Sequence, residues 1–173
     1  MRGFRALTAV SVLLTAALAV AGAAWLSAQG KAATLTTQDY IDIQQLYARY
    51  NHTLDSGDAE GYAALFTPDG SFNANVGHDA LVRFVKGRTA GDLRHWNTNL
   101  LITPTPEGAD GTVYLMFLNV STRPPTLANN AAKYTDSLVK TPQGWRFKKR
   151  QTRPEGPPAA PSGQAPAPAA APR

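Results

Sequence analysis

The chain contains no cysteine in its 173 residues. That absence excludes a disulfide framework, a zinc–thiolate site, a thiol nucleophile and a lipid attached at a signal-peptide cysteine. Whatever folds must be held together by its apolar core. Histidine is scarce as well, with three in all. Neither His52, His78 and His95 nor the carboxylates are spaced as converging ligands, so no metal is expected. There is no internal repeat. Large apolar residues are missing from Pro154 to Arg173, where "PEGPPAAPSGQAPAPAAAPR" is almost wholly Pro, Ala, Gly and Ser. With nothing to bury, this stretch reads as a disordered or extended tail.

Charge is lacking from Ala6 to Leu26, a run preceded by Arg2 and Arg5 and followed by the small residues Ser27, Ala28 and Gly30. This is the pattern of a secretory signal peptide over residues 1–28. The run is also long enough to stay uncleaved as a membrane anchor. Both readings export the rest of the chain to the periplasm or beyond. The formal charge of +5 overstates its basic character, since two arginines belong to the leader. Arg146, Lys148, Lys149, Arg150 and Arg153 cluster near the end without a stacking-aromatic pattern. Such a run reads as a solvated strand face, and nucleic acid is not an expected partner.

Between leader and tail lies one domain, residues 34–153. Thr36 or Thr37 can cap a helix whose apolar residues Tyr40, Ile43, Leu46, Tyr47, Tyr50 and Leu54 recur at three- and four-residue spacing, and Gly57 ends it. Asp58 can cap a short second helix carrying Tyr62, Leu65 and Phe66, closed by the turn signal "TPDG" at 67–70. A short strand over 71–76 follows. His78 or Asp79 opens a third helix through Leu81, Val82, Phe84 and Val85, ending near Gly87. The period then changes to two, with strands predicted over 94–103, 112–122, 131–140 and 145–153, separated in part by "PTPEGADG" and "TPQG". Helices first and strands last point to an α+β domain with helices packed on one face of a curved antiparallel sheet.

In "LRHWNTNLLI", strand alternation places Trp96, Thr98, Leu100 and Ile102 on one face and His95, Asn97 and Asn99 on the other. The polar face either meets water or lines a pocket. Asp55, in the last turn of the first helix, faces unpaired carbonyls at a cost of about 0.3–1 kcal/mol. It is either a loop carboxylate beside Ser56 and Gly57 or one compensated by a partner. His95 is a candidate partner, and His52, three residues before Asp55, is its rival. A carboxylate that accepts the proton of one imidazole nitrogen leaves the other nitrogen as a base. Asn97 and Asn99 would then be hydrogen-bond donors to a substrate oxygen.

The ordered stretches "DYIDIQQLYARYNHTLDSGDAEGYAALFTPDGSF", "RHWNTNLLI" and "YTDSLVKTPQGWRFKKR" resemble the SnoaL-like branch of the NTF2-like superfamily, which includes scytalone dehydratase and the hexachlorocyclohexane dehydrochlorinase. The resemblance covers Thr37 to about Arg153. It implies a cone, in which a strongly bent sheet wraps around three N-terminal helices and encloses a pocket, and a homodimer formed through the outer face of the sheet. By motif position it implies His95 as the base and Asp55 as its orienting partner. Tyr50, Asn97, Asn99, Met116 and Tyr134 would contact the substrate, with Tyr47, Tyr114, Leu118 and Asp136 facing the same space. The pattern also departs from its relatives. A lysine of the dehydrochlorinase falls at Tyr50, its pocket arginine meets Leu138 to Lys140, and the second pocket histidine of scytalone dehydratase falls at Met116. Neither substrate carries over. Ketosteroid isomerase relatives use carboxylic acids with a tyrosine, which Asp136 and Tyr50 would permit.

The expected function is a cofactor-independent lyase or isomerase acting on a small, largely apolar molecule. From a different class, the same cone could serve as a non-catalytic module that binds a small ligand or dimerises. A membrane is involved only if the leader stays uncleaved.

Overall fold

The computed structural model describes residues 34–88, 91–127 and 131–156. The predicted leader and the tail beyond Gly156 lie outside the described residues. No helix among the described residues is long and apolar enough to cross a membrane.

Helix α1, Thr37–Ser56, starts in a capping box: the Thr36 hydroxyl accepts from the Asp39 N–H, and the Asp39 carboxylate accepts from the Thr36 N–H. These bonds satisfy donors that the first turn would otherwise leave open. Its Ile43, Leu46, Tyr47, Tyr50 and Leu54 form one buried stripe, each burial contributing about 1.5–3 kcal/mol. Gly57 ends the helix in the left-handed region, at φ 74°, which a residue without Cβ adopts freely. Asp58 then caps α2, Ala59–Ala63, by accepting from the Gly61 N–H at 2.9 Å. The helix is shorter than expected: Leu65 and Phe66 lie beyond it, where the Leu65 carbonyl already accepts from the Phe147 N–H and the chain turns into the sheet. Helix α3 is His78–Lys86. The strands are β1 Phe66–Phe72, β2 Asn75–Val76, β3 Leu93–Thr105, β4 Gly108–Asn119, β5 Thr126–Leu127, β6 Ala132–Thr141 and β7 Gly144–Pro154.

Across the sheet the order is β2-β1-β7-β6-β4-β3, with β5 beside β4. The meander β3-β4-β6-β7 is antiparallel as expected. Strand β1, however, joins β7 in parallel, so the curved sheet is mixed. The "TPDG" segment is not a turn but lies inside β1, where a register shift against β7 absorbs it. The strand predicted over 71–76 splits into the end of β1 and β2, a small hairpin turning at Asn73, whose φ is 50°. The connection read from "PTPEGADG" shrinks to Pro106 and Glu107, and β4 begins at Gly108.

Asp39 also ties α1 to the far hairpin, accepting from Lys140 Nζ at 2.7 Å and Trp145 Nε1 at 2.9 Å. The Lys140 ammonium, then the Thr36 donors, hold its carboxyl well below the usual carboxylate range. A group whose pKa is depressed on folding stabilises the fold above its unfolded value, near 3.9, and that contribution is lost as pH falls toward the folded value. Thermal melts should therefore show wild type losing stability below about pH 4 more steeply than Asp39→Asn. Equal acid slopes for the two proteins would remove Asp39 from this role.

Candidate active site

Asp55 sits in the last turn of α1 and His95 on β3, the terminal strand of the sheet. His95 Nδ1 lies 2.5 Å from Asp55 Oδ1, and the His95 backbone N–H donates to Asp55 Oδ2 at 3.1 Å. One carboxylate thus binds both the ring and the backbone of a single residue. The side chains are 3% and 12% exposed, respectively. Donors from β3 offset the unfavourable place of Asp55 at the helix end. His52 is exposed and takes no part in the pair. His78 lies elsewhere, on the surface between Glu60 and Asp79. The His95 ring stands edge-on to Phe117, with centroids 4.8 Å apart, which fixes its plane. With Nδ1 engaged, Nε2 has no partner among the described residues, and His95 lines a groove of about 870 Å³. That volume falls within the range of about 300–1,000 Å³ usual for small-molecule sites.

The groove runs between α1 and the edge of β3, with Ala48, Asn51 and Asp55 on the helix side and His95, Asn97 and Leu100 on the strand side. The predicted strand phase holds only as far as Thr98. Asn99 has φ 56°, and the ladder slips between Thr98 and Leu101 against β4. An Asn in the left-handed region at such a slip makes a β-bulge, which reverses the facing of every later residue. Leu100 and Ile102 therefore pack against the core together with the His95 face, whereas Trp96 and Leu101 are 55% and 68% exposed. Asn99 itself is exposed at the bulge, although it borders the groove.

The inward phase of β4 was predicted one residue off. Val113 and Leu115 are buried and Phe117 packs against the core, while Tyr114, Met116 and Leu118 occupy the outer phase. Met116 pairs with Trp96 and meets the groove where it wraps the edge of β3. Tyr50 and Tyr134 were expected to contact substrate. They are buried instead, 0% and 2% exposed, and do not line the groove.

What surrounds them is Arg150, which the charge run had placed on a solvated face and which is fully buried. Its Nε and Nη2 donate to Asp136 Oδ1 and Oδ2 at 2.8 and 2.7 Å. The guanidinium lies 4.1–4.6 Å from the ring centroids of Tyr47, Tyr50, Tyr134 and Phe147. Burial opposes its charge, but the adjacent Asp136 more than offsets this and holds the proton on the guanidinium. Tyr47 borders the groove and donates its hydroxyl to Asp136. Burial, reinforced by Asp136, raises its phenol far above the ordinary tyrosine range. Gly111, opposite Asp136 on β4, leaves room for that hydroxyl, which a Cβ would overlap. Asp136 is thus engaged by the Arg150 guanidinium and the Tyr47 hydroxyl and does not line the groove, which sets it apart from the pocket carboxyl group expected of an isomerase of the ketosteroid type. No three His, Asp or Glu side chains converge as metal ligands among the described residues.

A curved sheet around an N-terminal helix layer, with a His–Asp pair opening on a groove, defines an NTF2-like α+β cone. The chain belongs to the SnoaL-like domain family, whose model matches residues 36–151. No curated protein matches it by sequence. Among solved structures it is similar to Rv3472 of Mycobacterium tuberculosis, a protein of unknown function. The two share 27% identity over 73% of this chain and 82% of that one, with a TM-score of 0.63. It is similar also to a Catenulispora acidiphila protein solved in complex with S-DNPA, at 29% identity, 68% and 93% coverage and a TM-score of 0.59. ActVI-ORFA of Streptomyces coelicolor shares the fold at 23% identity, 70% and 98% coverage and a TM-score of 0.61.

Proposed function

We propose that the domain is a cofactor-independent lyase or isomerase in which His95 Nε2 removes a proton from carbon in a small molecule held in the groove, and Asp55 orients the ring. The observation that carries this reading is the 2.5 Å contact between His95 Nδ1 and Asp55, with Nε2 left unpartnered among the described residues at the groove. A neutral imidazole that donates from Nδ1 presents a lone pair on Nε2, the state a general base requires. The groove's mix of Leu100, Val113 and Met116 with amides suits a mainly apolar substrate with a few polar groups. The Catenulispora relative was solved with a small molecule bound, which supports a ligand role for this fold. We place the domain outside the cytoplasm on the composition of its first 28 residues. We also infer a homodimer, since Trp96, Leu101 and Leu127 are each more than half exposed on the sheet.

The test is the tautomer of His95, read from its ring nitrogens by NMR. In wild type the neutral ring should carry its proton on Nδ1. In Asp55→Asn the side chain offers one acceptor where two are needed. The His95 backbone N–H cannot give up its proton and claims the oxygen, so the new NH₂ faces Nδ1 and forces the ring proton to Nε2. A wild-type ring protonated mainly on Nε2 would sink the proposal.

A further inference from the structure

Asn51 lies one turn before Asp55 on α1, half-buried, and faces the groove. Its Oδ1 accepts from Asn97 Nδ2 at 3.3 Å, and Asn97 in turn sits two residues from His95 on the same strand face. This bond turns the Asn51 NH₂ away from Asn97. Asn51 Nδ2 has no partner among the described residues and is not among the buried unpartnered atoms, whereas Asn97 Oδ1 is. Reversing both amides would instead bury an orphaned Asn97 N–H, a rarer and costlier defect than an unpartnered oxygen. The groove therefore presents one oriented amide donor close to the His95–Asp55 pair. Residues one helical turn apart are about 6 Å apart, and residues two apart on a strand about 6.6 Å. Base and donor thus fit within one small molecule.

We propose that Asn51 donates a hydrogen bond to a substrate carbonyl oxygen, so that the groove takes ketones or related carbonyl compounds with a C–H beside the carbonyl. This rests on the reading of His95 as base. His95 Nε2 takes the proton from the carbon next to the carbonyl. The C–H electron pair forms a C=C bond, and the carbonyl π pair moves to oxygen, where Asn51 Nδ2–H stabilises the enolate. Where a further C=C is conjugated with the enolate, return of the proton to the far carbon of that dienolate shifts the double bond and isomerises the substrate. Departure of a group β to the carbonyl with its electron pair eliminates it, His95 supplying the proton where the leaving group needs one. No co-reactant is required.

Two probes separate the claims: hydrogen–deuterium exchange of 2-indanone in D₂O, and elimination of 5-nitrobenzisoxazole, a carbon acid with no carbonyl. Wild type should accelerate both. Asn51→Asp is nearly isosteric, keeps an acceptor for Asn97 Nδ2 and removes the donor; Asn51→Leu removes both. Each should slow 2-indanone exchange about 100-fold, the usual loss for one such donor, and that loss should exceed the loss on 5-nitrobenzisoxazole at least about tenfold. Equal losses on the two probes would make Asn51 a shaper of the groove and overturn the inference. So would a wild type that eliminates 5-nitrobenzisoxazole in a His95-dependent way but exchanges no 2-indanone, an outcome that leaves the base reading standing. Elimination undiminished in His95→Ala would overturn the base reading itself.

Discussion

His95→Ala is expected to lower turnover of 5-nitrobenzisoxazole by about 100- to 10,000-fold, the usual contribution of a positioned general base. The reaction needs little beyond a base: removal of one C–H proton breaks the N–O bond and releases a coloured phenolate. Asp55→Asn should cost at least about 100-fold although it preserves shape, because the amide turns the ring so that its proton occupies Nε2, the atom meant to receive one. His52→Ala should cost far less, since His52 is exposed and outside the pair. Initial rates read at equal folded fraction decide the matter. If His95→Ala and Asp55→Asn keep the wild-type rate, the pair is a structural lock between α1 and β3, and the domain belongs with the binding modules of its fold.

Arg150→Met should destabilise the domain by about 3–5 kcal/mol, because it leaves Asp136 as an uncompensated charge in the core. The Asp136 oxygens would keep only the Tyr47 hydroxyl. For a domain whose total stability is on the order of 5–15 kcal/mol, this is a large share. The double variant Asp136→Leu/Arg150→Met removes both charges and should cost clearly less than the two single variants summed, since apolar groups can replace a buried pair. Urea unfolding of the four proteins measures this coupling. A loss under about 1 kcal/mol for Arg150→Met would mean that water reaches Asp136.

The legibility of α1, α3 and the start of α2, and the misplacement of Leu65, Phe66 and Arg150, have one physical cause. A capping box at Thr36 and Asp39, Gly57 at a helix end and apolar residues three and four apart are signals contained within one segment. Asp55 could be singled out because a carboxylate at a helix C-terminus is locally unfavourable. The pairing of Asp55 with His95 came from motif order rather than local physics. Asn51 carried a signal that was passed over, since it shares the helix face of Asp55 one turn earlier, but its orientation depends on Asn97 across the groove.

By itself the sequence determined the helix starts and the meander, which rest on spacing and capping along the chain, while the family and the candidate pair of Asp55 and His95 followed from the order of motifs that carries the resemblance. Tertiary structure decided which face of β3 and β4 turns inward, through a bulge at Asn99 that exists only against β4. It also decided that Arg150 is core and that Tyr50 and Tyr134 surround it, leaving the groove to other residues. A guanidinium is buried or solvated according to what distant segments bring to it, and here Asp136 from β6 and rings from α1, β6 and β7 remove it from water. No pattern within β7 encodes that company.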